Sequence, residues 1–132
     1  DSWSNIATKL SDAEIISKEM ESQIKELEIF GGLIANSDMH AGNISVFHDE
    51  SLKITALAPV YDMLPMRWKP DAMMGMFPYE PFEADYSMAS NEVRCAAQSF
   101  WKRVAGHPLI SQELQGIALE MSFRMGADGL VR

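Results

Sequence analysis

The sequence predicts a mostly helical α+β domain that contains one β-hairpin. Apolar residues recur at three- and four-residue steps near the start of the chain and again after residue 90, which is the period of amphipathic helices. Between these segments, apolar and polar residues alternate over 52–57, which is typical of a strand. With 132 residues, 47% of them hydrophobic, the chain is long enough to bury a core, and we expect a single domain over 1–132.

The first predicted helix spans residues 11–35. Ser11 followed by Glu14 spells a capping box, in which a serine hydroxyl and a glutamate carboxylate satisfy the first backbone N–H groups of a helix. The segment that follows has apolar residues at helical spacing: Ile16, Met20, Ile24, Leu27, Gly31 and Ile34. The charged residues between them predict a solvent-exposed face.

A polar loop over 36–43 follows, and residues 44–58 then change to the short apolar runs of a β-hairpin. The two runs, 44–47 and 52–57, are separated by the turn residues His48, Asp49, Glu50 and Ser51. The short motif over 59–64, which contains Asp62, comes directly after the second run.

The remainder of the chain predicts an irregular segment followed by helices. Residues 64–90 contain prolines scattered among Met and aromatic residues, namely Pro65, Pro70, Pro78 and Pro81. Residues 91–126 return to helical spacing, and we expect two core-facing helices there. Ser111 is the predicted N-cap of the second of these helices, and Gly126 is its predicted end.

Composition excludes several classes of function. A formal net charge of −8 argues against direct nucleic-acid binding, because neutralising phosphates requires clustered Lys and Arg and this chain has 11, scattered. The single cysteine, Cys95, excludes an internal disulfide, and we expect it to be a small buried side chain. The lack of a disulfide fits a reducing cytoplasm, where we expect the protein to lie, and no apolar run is long enough to cross a bilayer, so we expect no membrane contact. Because the first residue is Asp1 and not Met, we expect that the sequence begins inside a longer chain.

Two acids and an amide flank the predicted hairpin, and they are the residue types that phosphoryl transfer from ATP requires. Asp38 precedes Asn43 by five residues, which is the separation between the catalytic-base Asp and the metal-binding Asn in protein kinases. Asp62 follows the hairpin, as does the second metal-binding carboxylate of that template. Amide and carboxylate oxygens are ligands that suit Mg²⁺.

The segments that contain these residues, 36–45 and 57–64, resemble the paired signature of HipA-like serine/threonine protein kinases, the toxins of bacterial type II toxin–antitoxin pairs. The family pattern is Asp-x-His-x-x-Asn-x-Ser, followed by a motif that ends in an Asp-Ile/Leu/Met-Leu turn. The resemblance implies the C-terminal, helical lobe of a protein-kinase-like fold, with a β-hairpin that carries the metal-site residues. It also implies that Asp38 is the catalytic base and that His40 organises the catalytic loop. By the same match, Asn43 and Asp62 bind Mg²⁺ and, through it, ATP.

The resemblance further implies that the full-length protein phosphorylates protein Ser or Thr, with translation enzymes among its targets and a DNA-binding antitoxin as a partner. The chain departs from the family in two respects. Many members have Lys immediately before the metal-binding Asn, where this chain has Gly42, so that a phosphate-neutralising charge is missing. No Gly-rich phosphate loop and no nucleotide-anchoring strand Lys are found in these residues. We therefore expect that the N-terminal lobe is absent and that the chain alone is inactive.

Other interpretations of the sequence stay open. A pseudokinase or regulatory module that keeps the fold without phosphoryl transfer is supported by Gly42. A helical interaction domain would bind its partner through the Met- and aromatic-rich segment, which contains Trp68, Met73, Met74, Met76, Phe77, Tyr79 and Phe82. A zinc site at Asp38, His40 and His48 is disfavoured, because the sequence offers no fourth ligand and no Cys pair.

Overall fold

A computed structural model describes residues 1–76 and 78–130 of the chain, and within them the predicted class is confirmed: helices with one two-stranded antiparallel hairpin. The elements in order are α1 (Trp3–Asp12), α2 (Lys18–Leu33), β1 (Val46–His48), β2 (Ile54–Leu57), α3 (Asn91–Gly106) and α4 (Gln112–Leu130). The chain divides into a first compact unit, 1–28 with 38–63, and a second, 29–37 with the described part of 64–132. The single domain over 1–132 stays a prediction.

The start of the chain differs from the sequence prediction. Ser2 caps α1 by accepting a hydrogen bond from the Asn5 N–H at 3.1 Å, and Ser17 precedes α2 and accepts one from the Met20 N–H at 3.1 Å. The capping box predicted at Ser11 is wrong, because Ser11 lies in the last turn of α1. The chain reverses at Glu14, whose φ of +59° is in the left-handed region. The predicted helix over 11–35 is therefore the end of α1, a turn, and α2.

The core of the first unit is formed by one face of α1 and the start of α2. Its buried members are Trp3, Ala7, Ile16, Met20 and Ile24. Half-buried side chains from both helices, the loop, the hairpin and the motif after it pack against them: Leu10, Leu27, Met39, Ile44, Ile54, Leu57 and Met63. Because Met39, Ile44 and Met63 lie within the two motifs or beside them, burial of these apolar side chains anchors the motif backbones to the helices.

The hairpin is shorter than predicted and contains a bulge. Val46 pairs with Leu57 and Phe47 with Ala56, and the register then shifts between Phe47 and His48. Leu52 belongs to the turn and not to the second strand, since its φ is +62° and its side chain is exposed. The turn is held by the carboxylate of Asp49, which accepts hydrogen bonds from the N–H groups of Ser51 and Lys53 at 2.9 and 3.0 Å.

The second unit is centred on Trp101 of α3. This side chain is 0% exposed, its indole N–H donates to the Leu33 carbonyl at 3.0 Å, and its ring meets those of Trp68 and Phe100 edge to face. α3 packs against α4, whose predicted N-cap is confirmed by the Leu114 N–H, which donates to the Ser111 hydroxyl at 3.3 Å.

Two expectations for this unit are wrong. α4 does not end at Gly126, because it continues to Leu130. A Cβ on Gly126 would lie 2.4 Å from Nε2 of Gln98 on α3, so this glycine permits close helix packing instead of marking a helix end. Cys95 is exposed, not buried, because it lies on the opposite face of α3 from Val93, Ala97 and the core.

The segment over 64–90 contains one short 3₁₀ turn, Met66–Trp68, and an isolated antiparallel bridge between Asp71 and Gly75 among its described residues. Its described aromatic residues do not form one exposed surface. Trp68 is buried, and Phe82 packs against Trp68 and Trp101. Phe77, which the sequence placed in a possible partner surface, lies outside the described residues.

Candidate functional site

The loop that contains Asp38 and Asn43 is ordered by hydrogen bonds among its own residues. It ends in a 3₁₀ turn, Ala41–Asn43, whose N-cap is His40. The His40 Nδ1 atom accepts a hydrogen bond from the Gly42 N–H at 3.0 Å, and the His40 carbonyl accepts one from the Asn43 N–H at 3.0 Å. A neutral imidazole that accepts at Nδ1 has its proton on Nε2. His40 therefore shapes the loop through both its ring and its carbonyl.

Asn43 is buried, and its side chain joins the two ends of the loop. Its Nδ2 group donates a hydrogen bond to the Asp38 backbone carbonyl at 2.9 Å. Because the amide nitrogen is used inside the loop, the amide oxygen is the atom of Asn43 that is suited to bind a cation. The five-residue separation noted in the sequence thus becomes one closed turn.

The two acids are exposed. The His40 Nε2 atom lies 3.9 Å from Asp38 Oδ1, which is longer than a hydrogen bond. Asp62 has a φ of +52°, a left-handed conformation that Asp tolerates better than most residues. Sparsely populated backbone conformations of this kind are concentrated at functional sites.

The residue before Asp62 connects the second motif to the loop. The Tyr61 hydroxyl donates a hydrogen bond to the Gly42 carbonyl at 2.7 Å and lies 3.1 Å from the Ser45 hydroxyl. Gly42 and Tyr61 are the chain neighbours of Asn43 and Asp62. The structure therefore brings Asp38, His40 and Asn43 together in one loop, and it connects Asp62 to that loop through Tyr61.

A residue of α1 that the sequence motifs do not single out contacts the same loop. Trp3 is 1% exposed, and its indole N–H donates to the His40 carbonyl at 2.8 Å. The Glu28 carboxylate of α2 holds this end of α1, because it accepts hydrogen bonds from the Trp3 and Ser4 N–H groups at 3.0 and 3.1 Å and from the Ser4 hydroxyl. The Ser2 cap and the spacing of Trp3, Ala7 and Leu10 could have predicted the helix. No local pattern could have predicted that the indole of Trp3 contacts His40.

Gly42, where many HipA-like kinases have Lys, lies directly against the His40 ring. A Cβ at position 42 would be 2.9 Å from Cε1 and 3.0 Å from Nδ1 of His40. A side chain at this position would therefore displace the ring that caps the turn. The His40 ring lies in the space where a lysine side chain at position 42 would begin.

The donor atoms at this site fit Mg²⁺. The Asn43 amide oxygen and the Asp62 carboxylate are hard oxygen donors, and Mg²⁺ is usually held by few protein ligands together with waters and phosphate oxygens. Residues 1–76 and 78–130 contain no group of three or more His, Cys, Asp or Glu side chains that could hold a metal ion. In the same described part of the chain, no helix has the length and apolar character needed to cross a membrane.

Comparison with known proteins identifies the family to which the chain belongs. The family model of the HipA-like C-terminal domain matches residues 2–122. The chain is 37% identical over 125 residues to Toxin YjjJ of Escherichia coli strain K12, an alignment that covers 91% of this chain and 28% of that protein. The chain thus spans about 28% of the length of this curated relative. No solved structure matches the chain significantly. With its family model matched over nearly its whole length, the chain belongs to the HipA-like C-terminal domain family.

Proposed function

We propose that the full-length protein containing this chain is an ATP- and Mg²⁺-dependent kinase that phosphorylates protein Ser or Thr. The observation that best supports this proposal is the hydrogen bond from the Asn43 amide to the Asp38 carbonyl, which closes the Asp-x-His-x-x-Asn sequence into a single ordered turn. A kinase needs its base and its first metal ligand on one rigid loop, because its catalysis relies on positioning and charge stabilisation.

Each residue then has a defined role. The Asp38 carboxylate accepts the proton of the substrate hydroxyl as its oxygen bonds to the γ-phosphorus and the bond from that phosphorus to the β–γ bridging oxygen breaks, which releases ADP. Asn43 and Asp62 hold the cation, and His40 orders the loop. When bound, Mg²⁺ neutralises negative charge on the phosphates. We propose that the residues that grip the nucleotide belong to other parts of the longer protein and that this chain alone is inactive.

The experiment is ATP-dependent phosphorylation by the full-length protein. We expect Asp38→Ala to lower the rate by about 10²- to 10⁴-fold, the usual contribution of a general base. Glu50→Gln is the control, because it removes an exposed carboxylate from the hairpin turn of the same unit. Equal rates for the wild-type protein and Asp38→Ala would remove the catalytic role of Asp38.

The wider biological role is also a proposal. The relative is named a toxin, and the family resemblance adds translation enzymes as substrates and a DNA-binding antitoxin as partner. We propose that the full-length protein arrests growth in the cytoplasm and is restrained by such a partner. Expression of the wild-type protein should stop growth, and Asp38→Ala should relieve the arrest. Arrest that persists in the Asp38→Ala strain would separate toxicity from phosphoryl transfer.

The pseudokinase alternative depends on Gly42, and it predicts nucleotide binding without transfer. Titration of Mg²⁺ and ATP into the full-length protein, followed by the phosphorylation assay, distinguishes the two interpretations. Tight binding with no transfer to any protein would favour the pseudokinase.

A second candidate function is partner binding by the methionine tip, which we define as residues 71–75. Met73 and Met74 are 93% and 88% exposed, and the turn beneath them is held by hydrogen bonds. The Asp71 carboxylate accepts hydrogen bonds from both of their N–H groups, at 2.8 and 2.7 Å, and these bonds lower its pKa. Flexible apolar side chains on an ordered turn suit an apolar pocket of a partner protein. Replacing both methionines by Ser should abolish capture of a partner by the full-length protein but leave its ATP turnover unchanged.

A further inference from the structure

The hydroxyl of Tyr61 has both of its hydrogen-bonding roles fixed by the loop. Its proton is directed to the Gly42 carbonyl at 2.7 Å, so the Ser45 hydroxyl, 3.1 Å away, acts as the donor to the Tyr61 oxygen. Ser45 follows the catalytic loop, and Gly42 lies within it. One phenol oxygen therefore connects the segment before Asp62 to both sides of Asn43.

The backbone around Tyr61 shows why this connection matters. The Ala58 N–H donates to the Ser45 carbonyl at 2.9 Å, which extends the hairpin pairing just beyond β2. Residues 58–63 then have no regular secondary structure, and Asp62 adopts its left-handed conformation there. A segment without a ladder of backbone hydrogen bonds depends on side chains to fix its path.

We infer that Tyr61 is a positioning residue that sets the separation between Asn43 and Asp62 and thereby the affinity of the site for Mg²⁺. This inference rests on the proposed function, since it assumes that these two residues are the metal ligands. Tyr61 does not touch the phosphates or the acceptor hydroxyl in this role. It acts through the backbone beside each ligand. Tyr61 shares a peptide bond with Asp62, and its hydroxyl contacts the carbonyl of Gly42, which precedes Asn43.

The exposure of the Tyr61 side chain distinguishes a positioning role from a role in core packing. The side chain is 41% exposed, so the ring is not a core residue, and Tyr61→Phe keeps the ring while removing only the oxygen. A residue that merely stabilised the fold would affect unfolding more than metal binding. A positioning residue does the reverse, because loss of the hydroxyl frees the motif locally.

In the experiment, Mg²⁺ is titrated into the full-length protein in the presence of a non-hydrolysable ATP analogue, and the Kd is measured by calorimetry. We expect Tyr61→Phe, which removes both hydrogen bonds of the hydroxyl, to raise the Kd for Mg²⁺ about tenfold. Amide hydrogen exchange of the metal-free protein gives a second readout, and the Asn43 N–H should exchange faster in the variant. Tyr79→Phe is the matched control, because Tyr79 is 42% exposed and belongs to the second unit.

Three further outcomes decide between the hypotheses. If Asp62→Asn abolishes Mg²⁺ binding while Tyr61→Phe leaves both the Kd and the Asn43 exchange rate unchanged, the inference about Tyr61 is overturned and the proposed function stands. If Asp62→Asn leaves Mg²⁺ binding unchanged, the proposed metal site itself fails. Should Tyr61→Phe not fold, Ser45→Ala replaces it: this variant removes one of the two contacts and should raise the Kd by a smaller factor, whereas an unchanged Kd would refute the inference.

Discussion

The contact between Trp3 and the His40 carbonyl predicts that the first helix of the chain holds the catalytic loop. Trp3→Phe keeps an aromatic ring in the core but removes the indole N–H and the outer part of the ring. We expect the loop to lose its attachment to α1 while the helix itself persists, since Glu28 still accepts hydrogen bonds from the Trp3 and Ser4 N–H groups.

The magnitude follows from the groups that are removed. The net contribution of the indole hydrogen bond is about 0.5–1.5 kcal/mol, and the His40 carbonyl keeps its second bond from the Asn43 N–H. The phenyl ring also lacks carbon and nitrogen atoms that Trp3 buries, and apolar burial is worth about 0.8 kcal/mol per methylene-sized group. We expect a total loss of about 2–4 kcal/mol in the free energy of unfolding.

Trp101→Phe is a closely matched control. Trp101 is as deeply buried as Trp3, and its indole N–H also donates to a backbone carbonyl, that of Leu33 at 3.0 Å. The two variants should therefore lose similar stability in urea unfolding. Only Trp3→Phe should increase hydrogen exchange at the Gly42 and Asn43 amides, by about tenfold. Equal exchange at these amides in both variants would show that α1 does not hold the loop.

Two other predictions concern the first unit. Glu21 has its pKa lowered to about 2 by the ammonium groups of Lys25 at 2.7 Å and Lys18 at 3.0 Å. Since the folded pKa lies below the unfolded value of 4.5, the stabilisation from Glu21 is complete above that value and disappears as the pH falls toward 2. Urea unfolding across this range should show a weaker pH dependence in Glu21→Gln, and an unchanged slope would contradict the assignment. Gly42→Ala should weaken Mg²⁺–ATP binding, because the added methyl group displaces the His40 ring. The same substitution should weaken binding much less in a protein that already has His40→Ala. Additive effects in this double-mutant cycle would show that the two positions are independent.

The helices α3 and α4 are predictable from sequence because their stability is encoded locally. Each presents an apolar stripe to the core and starts after a serine whose hydroxyl accepts a backbone N–H bond, Ser90 in α3 and Ser111 in α4. The boundary between α1 and α2 is not predictable in this way. The chain turns at Glu14 in a left-handed conformation, although no Gly or Pro in the sequence indicates a turn there. Ser11 has the sequence pattern of a helix cap, but the side chain that caps α2 is that of Ser17.

The candidate site shows the same division between local and long-range information. The spacing of Asp38 and Asn43 is visible in the sequence because one turn of backbone closes it. The contacts of Trp3 and Tyr61 join residues that are 37 and 19 positions apart, and no periodicity encodes them. Side chains that position a loop from a distance are specified only by tertiary packing.

Gly42 is the position at which sequence and structure lead to different conclusions. From the sequence, the absence of Lys suggests a lost positive charge and supports the pseudokinase alternative. In the structure, the imidazole of His40 lies where a side chain at position 42 would begin, and its Nδ1 atom accepts the Gly42 N–H. The glycine also permits the contact that caps the Asn43 turn, so loop order is a second reason for its presence. Gly42 therefore does not by itself support loss of catalysis, and the case for a pseudokinase depends on the measured turnover.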